Sequence, residues 1–261
     1  MRLAVVGASG RMGRAIVGLA AGAGMDLVCA VGASDVGRDA GELAGAGTMG
    51  VPVVADVGAL GRAGADVVVD FSAPGVTREL AAIAAAAGSA VVSGTTGLGD
   101  EERRALERAA GVVPVLWEPN MSVGVHLLAA LVARAAAALP DWDLEIVEVH
   151  HKAKVDAPSG TALRLAEAAR AARTAATNLV HGRQGRPGPR AAGEVGMHAL
   201  RGGDVVGDHT VHLMGGGERL ELTHRATSRD VFARGALRAA QWIVRRPPGR
   251  YTLDDVLDVK R

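Results

Sequence analysis

Two stretches of this 261-residue chain carry residue types that do chemistry. The first is Gly7-Ala8-Ser9-Gly10-Arg11-Met12-Gly13, a G-x-x-G-x-x-G spacing between an apolar run and a helical pattern. Glycines in that setting let the backbone turn tightly and approach a pyrophosphate. The helix start adds free N–H groups and the positive end of its dipole. Arg11 and Arg14 sit where phosphate is within reach. The second stretch runs Glu148-Val149-His150-His151-Lys152-Ala153-Lys154-Val155-Asp156-Ala157-Pro158-Ser159-Gly160-Thr161, from a strand end through a cationic loop into a helix start. Lys154 offers a point charge. Ser159 as N-cap, with Gly160 and Thr161, offers N–H groups and hydroxyls to an anion. A histidine gives up a proton near neutral pH. Together these residues suit the binding of a small dianion and the supply of a proton to it. The plainer reading of the same loop is a solvated basic turn with an ordinary helix cap.

These groups need elements to hold them. Residues 3–6, 25–31, 51–55, 66–71, 90–93 and 112–117 read as short, largely apolar strands. Helical segments at 13–23, 76–87 and 100–110 alternate with them, the pattern of a doubly wound parallel sheet. Ligands of such sheets bind outside the carboxyl ends of the strands. That rule makes Ser93-Gly94-Thr95-Thr96-Gly97 and Glu118-Pro119-Asn120-Met121 secondary candidates, with plain turns as the alternative. The carboxylate usual for a ribose 2′-OH is missing at Val31-Gly32-Ala33-Ser34, and Asp35 lies further on. With Arg11 and Arg38 nearby, this spacing predicts that a 2′-phosphate is tolerated or preferred.

Past residue 120 the pattern changes. Helices are expected at 122–139, 159–172 and 228–244, and strands at 144–149, 196–201, 208–214 and 218–225, the last two joined by Gly215-Gly216-Gly217. This predicts an α/β fold, a Rossmann-like doubly wound sheet plus a second α+β domain with a mostly antiparallel, mixed sheet. Residues 182–193 concentrate Pro and Gly and are expected to form a mobile loop. His198, His209, His212 and His224 fall on strands, where packing is expected rather than a metal site.

Composition narrows the field. A net charge of +1 gathers no nucleic acid. The single Cys29 forms no internal disulfide, consistent with a cytoplasmic setting. No stretch of ~20 apolar residues free of charge is present to span a membrane, and residues 1–10 carry no signal-peptide pattern.

GASGRMGRA, DAGELAG, VVDFS, SGTTG, PNMSVGV, EVHHKAKVDAPSGTA, RGGDVVGDHTV and ERLELTHRATSRDVFARGAL occur in order along nearly the whole chain. In these motifs the chain resembles the 4-hydroxy-tetrahydrodipicolinate reductase (dihydrodipicolinate reductase) family of lysine and diaminopimelate biosynthesis. HH-x-x-K-x-DAPSGTA is the specific element. The resemblance implies NADPH or NADH as cofactor, held by Gly7, Ala8, Ser9, Gly10, Arg11 and Met12. It places Gly94, Thr95, Thr96 and the backbone of Glu118, Pro119, Asn120 and Met121 towards the nicotinamide, with Arg229 and Phe232 touching the cofactor. It makes His150 the proton donor or acceptor, Lys154 a second proton donor and carboxylate contact, and His151, Ser159, Gly160 and Thr161 substrate contacts. No metal is implied. It further implies a dinucleotide-binding domain of residues 1–122 and 230–261, a substrate-binding and oligomerisation domain of residues 123–229, and a homotetramer. Domain closure would exclude water. The chain departs from the family's pattern at Gly32, at Met121 and at Lys152-Ala153. A related amino-acid or semialdehyde dehydrogenase and a non-catalytic dinucleotide sensor are the alternatives.

Overall fold

The structure is a computed structural model and describes residues 1–173 and 178–259. The chain divides into two compact units, Met1–Ser122 with Asp230–Asp258, and Val123–Arg229.

The first unit is built on strands β1 (Arg2–Val6), β2 (Asp26–Val31), β3 (Val53–Val54), β4 (Val67–Asp70), β5 (Ala90–Ser93) and β6 (Pro114–Trp117). Helices α1 (Arg11–Ala20), α2 (Ala40–Leu43), α3 (Leu60–Ala63), α4 (Pro74–Ala87) and α5 (Asp100–Ala110) connect them. Along β1, alternate residues serve opposite faces. Leu3 and Val5 join one core layer with Val67, Val69 and Val92. Ala4 and Val6 join the other with Val68, Val91 and Val115. Burial on both faces is why these strands read as unbroken apolar runs.

The second unit opens with α6 (Val123–Ala138), β7 (Asp143–His150) and α7 (Gly160–Ala171). It continues with β8 (Asn178–His181), β9 (Glu194–Arg201), β10 (Gly207–Met214) and β11 (Arg219–Ala226). Their sheet has the order β11-β10-β7-β9-β8. One face, from Leu144, Ile146, Val195, Val211 and Leu213, packs against Leu128, Val132, Leu165 and Ala169 of α6 and α7.

The chain then re-enters the first unit as α8 (Asp230–Ile243), β12 (Gly249–Tyr251) and α9 (Leu253–Leu257). Ala233, Ala236, Leu237, Ala240 and Ile243 of α8 complete the core layer that faces α1. The full sheet is seven-stranded, order β12-β6-β5-β4-β1-β2-β3, and every pairing is parallel. Strand order reverses between β1 and β4, the switch point where such sheets bind ligand.

The loop at 182–193 and the strands β8 and β12 depart from expectation. The second sheet is mixed, with the antiparallel ladders together the longer. β10 pairs antiparallel with β7 and β11, while β9 pairs parallel with β7 and β8. The long crossover through α7 supplies the parallel part. The Pro/Gly-rich loop at 182–193 is fastened. Arg183 forks onto Glu145 at 3.0 and 2.8 Å. Arg190 reaches Asp143 at 2.8 Å and the Leu144 carbonyl at 3.0 Å. Burial pushes the Glu145 carboxyl up, but hydrogen bonds from Arg183, His198 and Arg190 outweigh it and hold its pKa at about 2. Finally, β8 and β12 were absent from the sequence reading. Both are short edge strands without an apolar run.

Candidate active site

At the switch point, β1 runs into the glycine loop and β4 into Phe71. Gly7 has φ +83°, and a Cβ there would lie 2.2 Å from the Phe71 carbonyl oxygen. A Cβ on Gly13 would lie 2.1 Å from the Gly7 oxygen. Both positions are thus closed to any side chain. The turn is hung on β2, because Gly7 and Ala8 both donate to the Val31 carbonyl, at 2.9 and 2.8 Å. Gly10 precedes α1 with no side-chain cap, and the first turn of α1 holds no acidic residue. A helix start with its N–H groups and dipole left unneutralised fits a pyrophosphate. Ala8 is buried, whereas Gly10 and Arg11 are exposed and Ser9 and Met12 half-buried.

Beyond β2 the chain carries a displaced carboxylate. A Cβ on Gly32 would stand 2.4 Å from Ser9 Oγ, so a side chain there would require Ser9 to turn away. Asp35 supplies the charge instead, at φ +57°. Arg14 donates to Asp35 at 2.9 Å and, through Nε, to the Ser9 carbonyl at 2.9 Å. Arg38 donates to the other Asp35 oxygen at 3.1 Å.

The loop after β5 is organised by a residue the sequence reading passed over. Asp70, fully buried, accepts Thr77 Oγ1 at 2.7 Å, Ser93 Oγ at 2.8 Å and Thr95 Oγ1 at 2.9 Å. The Thr95 side chain is therefore spent on the scaffold, while Thr96 beside it is exposed. Gly94 is held to glycine by Phe71, whose ring would lie 2.3 Å from an added Cβ. Glu118 continues β6, its N–H donating to the Ser93 carbonyl at 3.0 Å. Pro119 is exposed, the Asn120 side chain accepts the Ser122 N–H at 2.9 Å, and Met121 is buried in the core. Phe232 of α8 packs against that same core. Arg229, exposed, belongs to the second unit. A VVDFS run ending a strand in Asp was the available signal for Asp70, since a charge inside an apolar run requires buried partners.

In the second unit, alternation along β7 puts Leu144, Ile146, Glu148 and His150 on its buried face. Where the apolar contacts end, polar ones begin. Glu148 is 1% exposed and accepts both Arg201 nitrogens, at 3.1 and 2.9 Å. It also accepts the Ser159 N–H at 3.1 Å and pairs with His150 Nδ1. An unpaired charge so buried costs several kcal/mol (order of magnitude), which explains the number of its partners. Burial pushes the Glu148 carboxyl up, but Arg201, the Ser159 N–H and His150 bring it below the ordinary value. Burial lowers His150, Glu148 raises it, and Lys154 and Arg201 lower it again, so the net shift is downward.

Ser159 is the N-cap of α7, accepting the Ala162 N–H at 3.1 Å. Gly160 and Thr161 follow in the first turn, with open space around Gly160. Lys154 bonds Asp156 at 2.7 Å, and Asp156 is 54% exposed. An ion pair so exposed is worth at most about 1 kcal/mol, so Lys154 is readily given up to a stronger anion. His151 leaves the strand, its N–H bonded to the Val205 carbonyl at 2.8 Å. Thus His150, His151, Lys154, Ser159, Gly160 and Thr161 all belong to one unit, gathered around the β7 end and the α7 start. Glu148, His150 and His209 also bring donor atoms within 4.8 Å of one another, close enough for a cation. However, the Arg201 guanidinium already covers Glu148, and its fixed positive charge opposes a metal ion.

A sheet of order 3-2-1-4-5-6 with a glycine loop at its switch point, plus a second unit bearing a histidine–carboxylate pair, defines a two-domain, dinucleotide-dependent oxidoreductase. The family model described as dihydrodipicolinate reductase, N-terminus, matches residues 1–121, and its C-terminus counterpart matches residues 124–257. The chain belongs to the dihydrodipicolinate reductase family. It is 48% identical to the 4-hydroxy-tetrahydrodipicolinate reductase of Halorhodospira halophila over 98% of each chain. It is also 48% identical to that of Archaeoglobus fulgidus, over 99% of this chain and 100% of the relative. Among solved structures it resembles the dipicolinate-bound dihydrodipicolinate reductase from Paenisporosarcina sp. TG-14, with TM-score 0.79, 25% identity and 97% of each chain covered. An amine dehydrogenase from Mycobacterium smegmatis shares the fold alone, with TM-score 0.58, 16% identity, and 97% of this chain and 95% of that one covered.

Proposed function

We propose that the chain reduces 4-hydroxy-tetrahydrodipicolinate with NAD(P)H and a proton, the 4-hydroxyl leaving as water and the hydride going to the resulting conjugated imine, to give tetrahydrodipicolinate for lysine and diaminopimelate synthesis. The observation that carries this reading is the buried Glu148–His150 pair beside Lys154 and the α7 start, in a chain matched to the family over both units. When bound, the nicotinamide supplies the hydride.

In this reading the first unit binds the dinucleotide and the second binds substrate. Residues 7–12 hold the pyrophosphate. Gly94, Thr96 and the backbone of 118–121 line the nicotinamide side, Thr95 supports them from below, and Arg229 and Phe232 are further contacts. Lys154, His151 and the N–H groups at Gly160 and Thr161 take the substrate carboxylates, with Ser159 holding that helix start. His150 provides the proton, with Lys154 as a second donor. Free His150 is held towards its neutral form, so an incoming dianion, by opposing the nearby cations, raises its proton affinity when a donor is needed.

Both NADPH and NADH are accepted in this proposal, with the 2′-phosphate tolerated. The support is the carboxylate displaced from position 32 to Asp35 and neutralised there by Arg14 and Arg38. We further propose a cytoplasmic homotetramer assembled through the second unit's sheet. Among the described residues, no helix is long and apolar enough to cross a membrane.

The test is oxidation of NADPH or NADH by the purified protein with freshly generated 4-hydroxy-tetrahydrodipicolinate. Turnover is expected with that substrate. Binding of dinucleotide without turnover would make the chain a sensor, and turnover only of amino acids would make it a different dehydrogenase.

A further inference from the structure

The donors that satisfy buried Glu148 also fix its orientation. Its four donors come from separate parts of the second unit: the two Arg201 nitrogens from β9 at 3.1 and 2.9 Å, the Ser159 N–H from the α7 start at 3.1 Å, and His150 from its own strand. A carboxylate held from three directions cannot turn to follow its neighbour, so the neighbour must conform to it. We infer that Glu148 is a positioning residue that fixes His150 as the Nδ1–H tautomer, leaving Nε2 as the nitrogen that exchanges a proton with substrate. This rests on the proposed reductase reading, in which His150 is the proton donor.

The surroundings of the ring agree. A Cβ on Gly207 would stand 2.9 Å from His150 Nε2, so glycine at that position leaves the nitrogen room. His209 meets the His150 ring edge-on, with centroids 5.1 Å apart. Ser159 Oγ accepts the Ala162 N–H and is hydrogen-bonded to His209 Nε2 at 3.1 Å. The buried His209 Nδ1 has no hydrogen-bond partner among the described residues. Burial first, and the charge of His150 second, hold its pKa down at about 4. His224 on β11, also lowered by burial, lies behind it. The charges acting on His150 are thus Glu148, which raises its proton affinity, against Lys154 and Arg201, which lower it. A carboxylate in this position both aims the ring and keeps it protonatable between two cations.

The opposing charges give the test a sign. The pH profile of kcat/KM is measured on the intact enzyme with its substrate and saturating reduced nicotinamide cofactor. The limb on which activity is lost as His150 deprotonates should move to lower pH by about one unit or more in Glu148→Gln. There kcat should fall about 10- to 100-fold with little change in KM. Glu148→Asp should recover part of the limb position, and Arg201→Gln should move it the other way. Imidazole 15N NMR, with His150 assigned from the His150→Gln variant, should report Nδ1–H. An unmoved limb in Glu148→Gln, a shift of the same sign in Arg201→Gln, or an Nε2–H tautomer overturns the inference. If His150→Gln keeps kcat within about threefold, the reading of His150 as donor fails instead, and the NMR tautomer alone then decides whether Glu148 sets the ring.

Discussion

Many dinucleotide-binding folds carry an acidic side chain at the end of the second strand; here that position is Gly32, and the nearest carboxylate is Asp35. A side chain at position 32 would press on Ser9, and the loop beyond turns left-handed at Asp35. Two arginines then share one carboxylate. Losing Asp35 leaves that pair with uncompensated charge, so Asp35→Ala should raise the kcat/KM ratio of NADPH to NADH by about tenfold, ~1.4 kcal/mol. Arg38→Ala should lower it. An unchanged ratio in both variants would reduce the trio to a loop clip. At the other site, His150→Gln should lower kcat by about 10²–10⁴ while KM rises far less. Steady-state kinetics with both substrates varied measures this, and a KM effect alone would make His150 a binding residue. The HH-x-x-K loop and the glycines were legible in the sequence because their chemistry lies in adjacent residues. Asp70, Arg201 and His209 were not, because each gains its meaning from a partner on another strand.

Elements differ in legibility for a related reason. Central strands such as β1, β4 and β5 are buried on both faces and announce themselves as apolar runs. Edge strands β8 and β12 are short and partly exposed, and their pairing is decided by neighbours, whereas β3, with Val53 buried, was expected at 51–55. The α7 cap was readable from Ser159 alone. Within α1 the glycines grade by contact. Gly13→Ala forces a Cβ to 2.1 Å from a backbone oxygen, whereas Gly10→Ala meets the same atom at 3.2 Å. Overpacking costs typically about 1–3 kcal/mol. Gly13→Ala should therefore lower the melting temperature and weaken NADPH binding by at least about tenfold, with Gly10→Ala milder in melting temperature. Thermal denaturation and fluorescence titration compare the two, and equal stability loss in both would remove the packing argument.

Taken as a whole, the molecule keeps buried His209 neutral at a cost that appears in acid. Folded His209 titrates at about 4 against an ordinary 6.5. Between those values the unfolded chain binds a proton that the folded protein refuses, so stability falls as pH drops from about 6.5 towards 4, by at most about 1.4 kcal/mol per pH unit. Glu145, held at about 2, extends the loss below 4.5. Urea titrations at a series of pH values should show this slope, and His209→Gln should flatten its upper part. A parallel slope in the variant would assign the acid sensitivity elsewhere.

The return of α8 to the first unit also has a bearing on how the protein is made. One face of the seven-stranded sheet is completed by Ala233, Ala236, Leu237, Ala240 and Ile243, which leave the ribosome only after the entire second unit. The nascent first unit must wait with that apolar layer bare, while the later-synthesised unit already holds all of its own core. The order of emergence is thus the reverse of the order of completion, and the interval between them is when this chain most needs a chaperone.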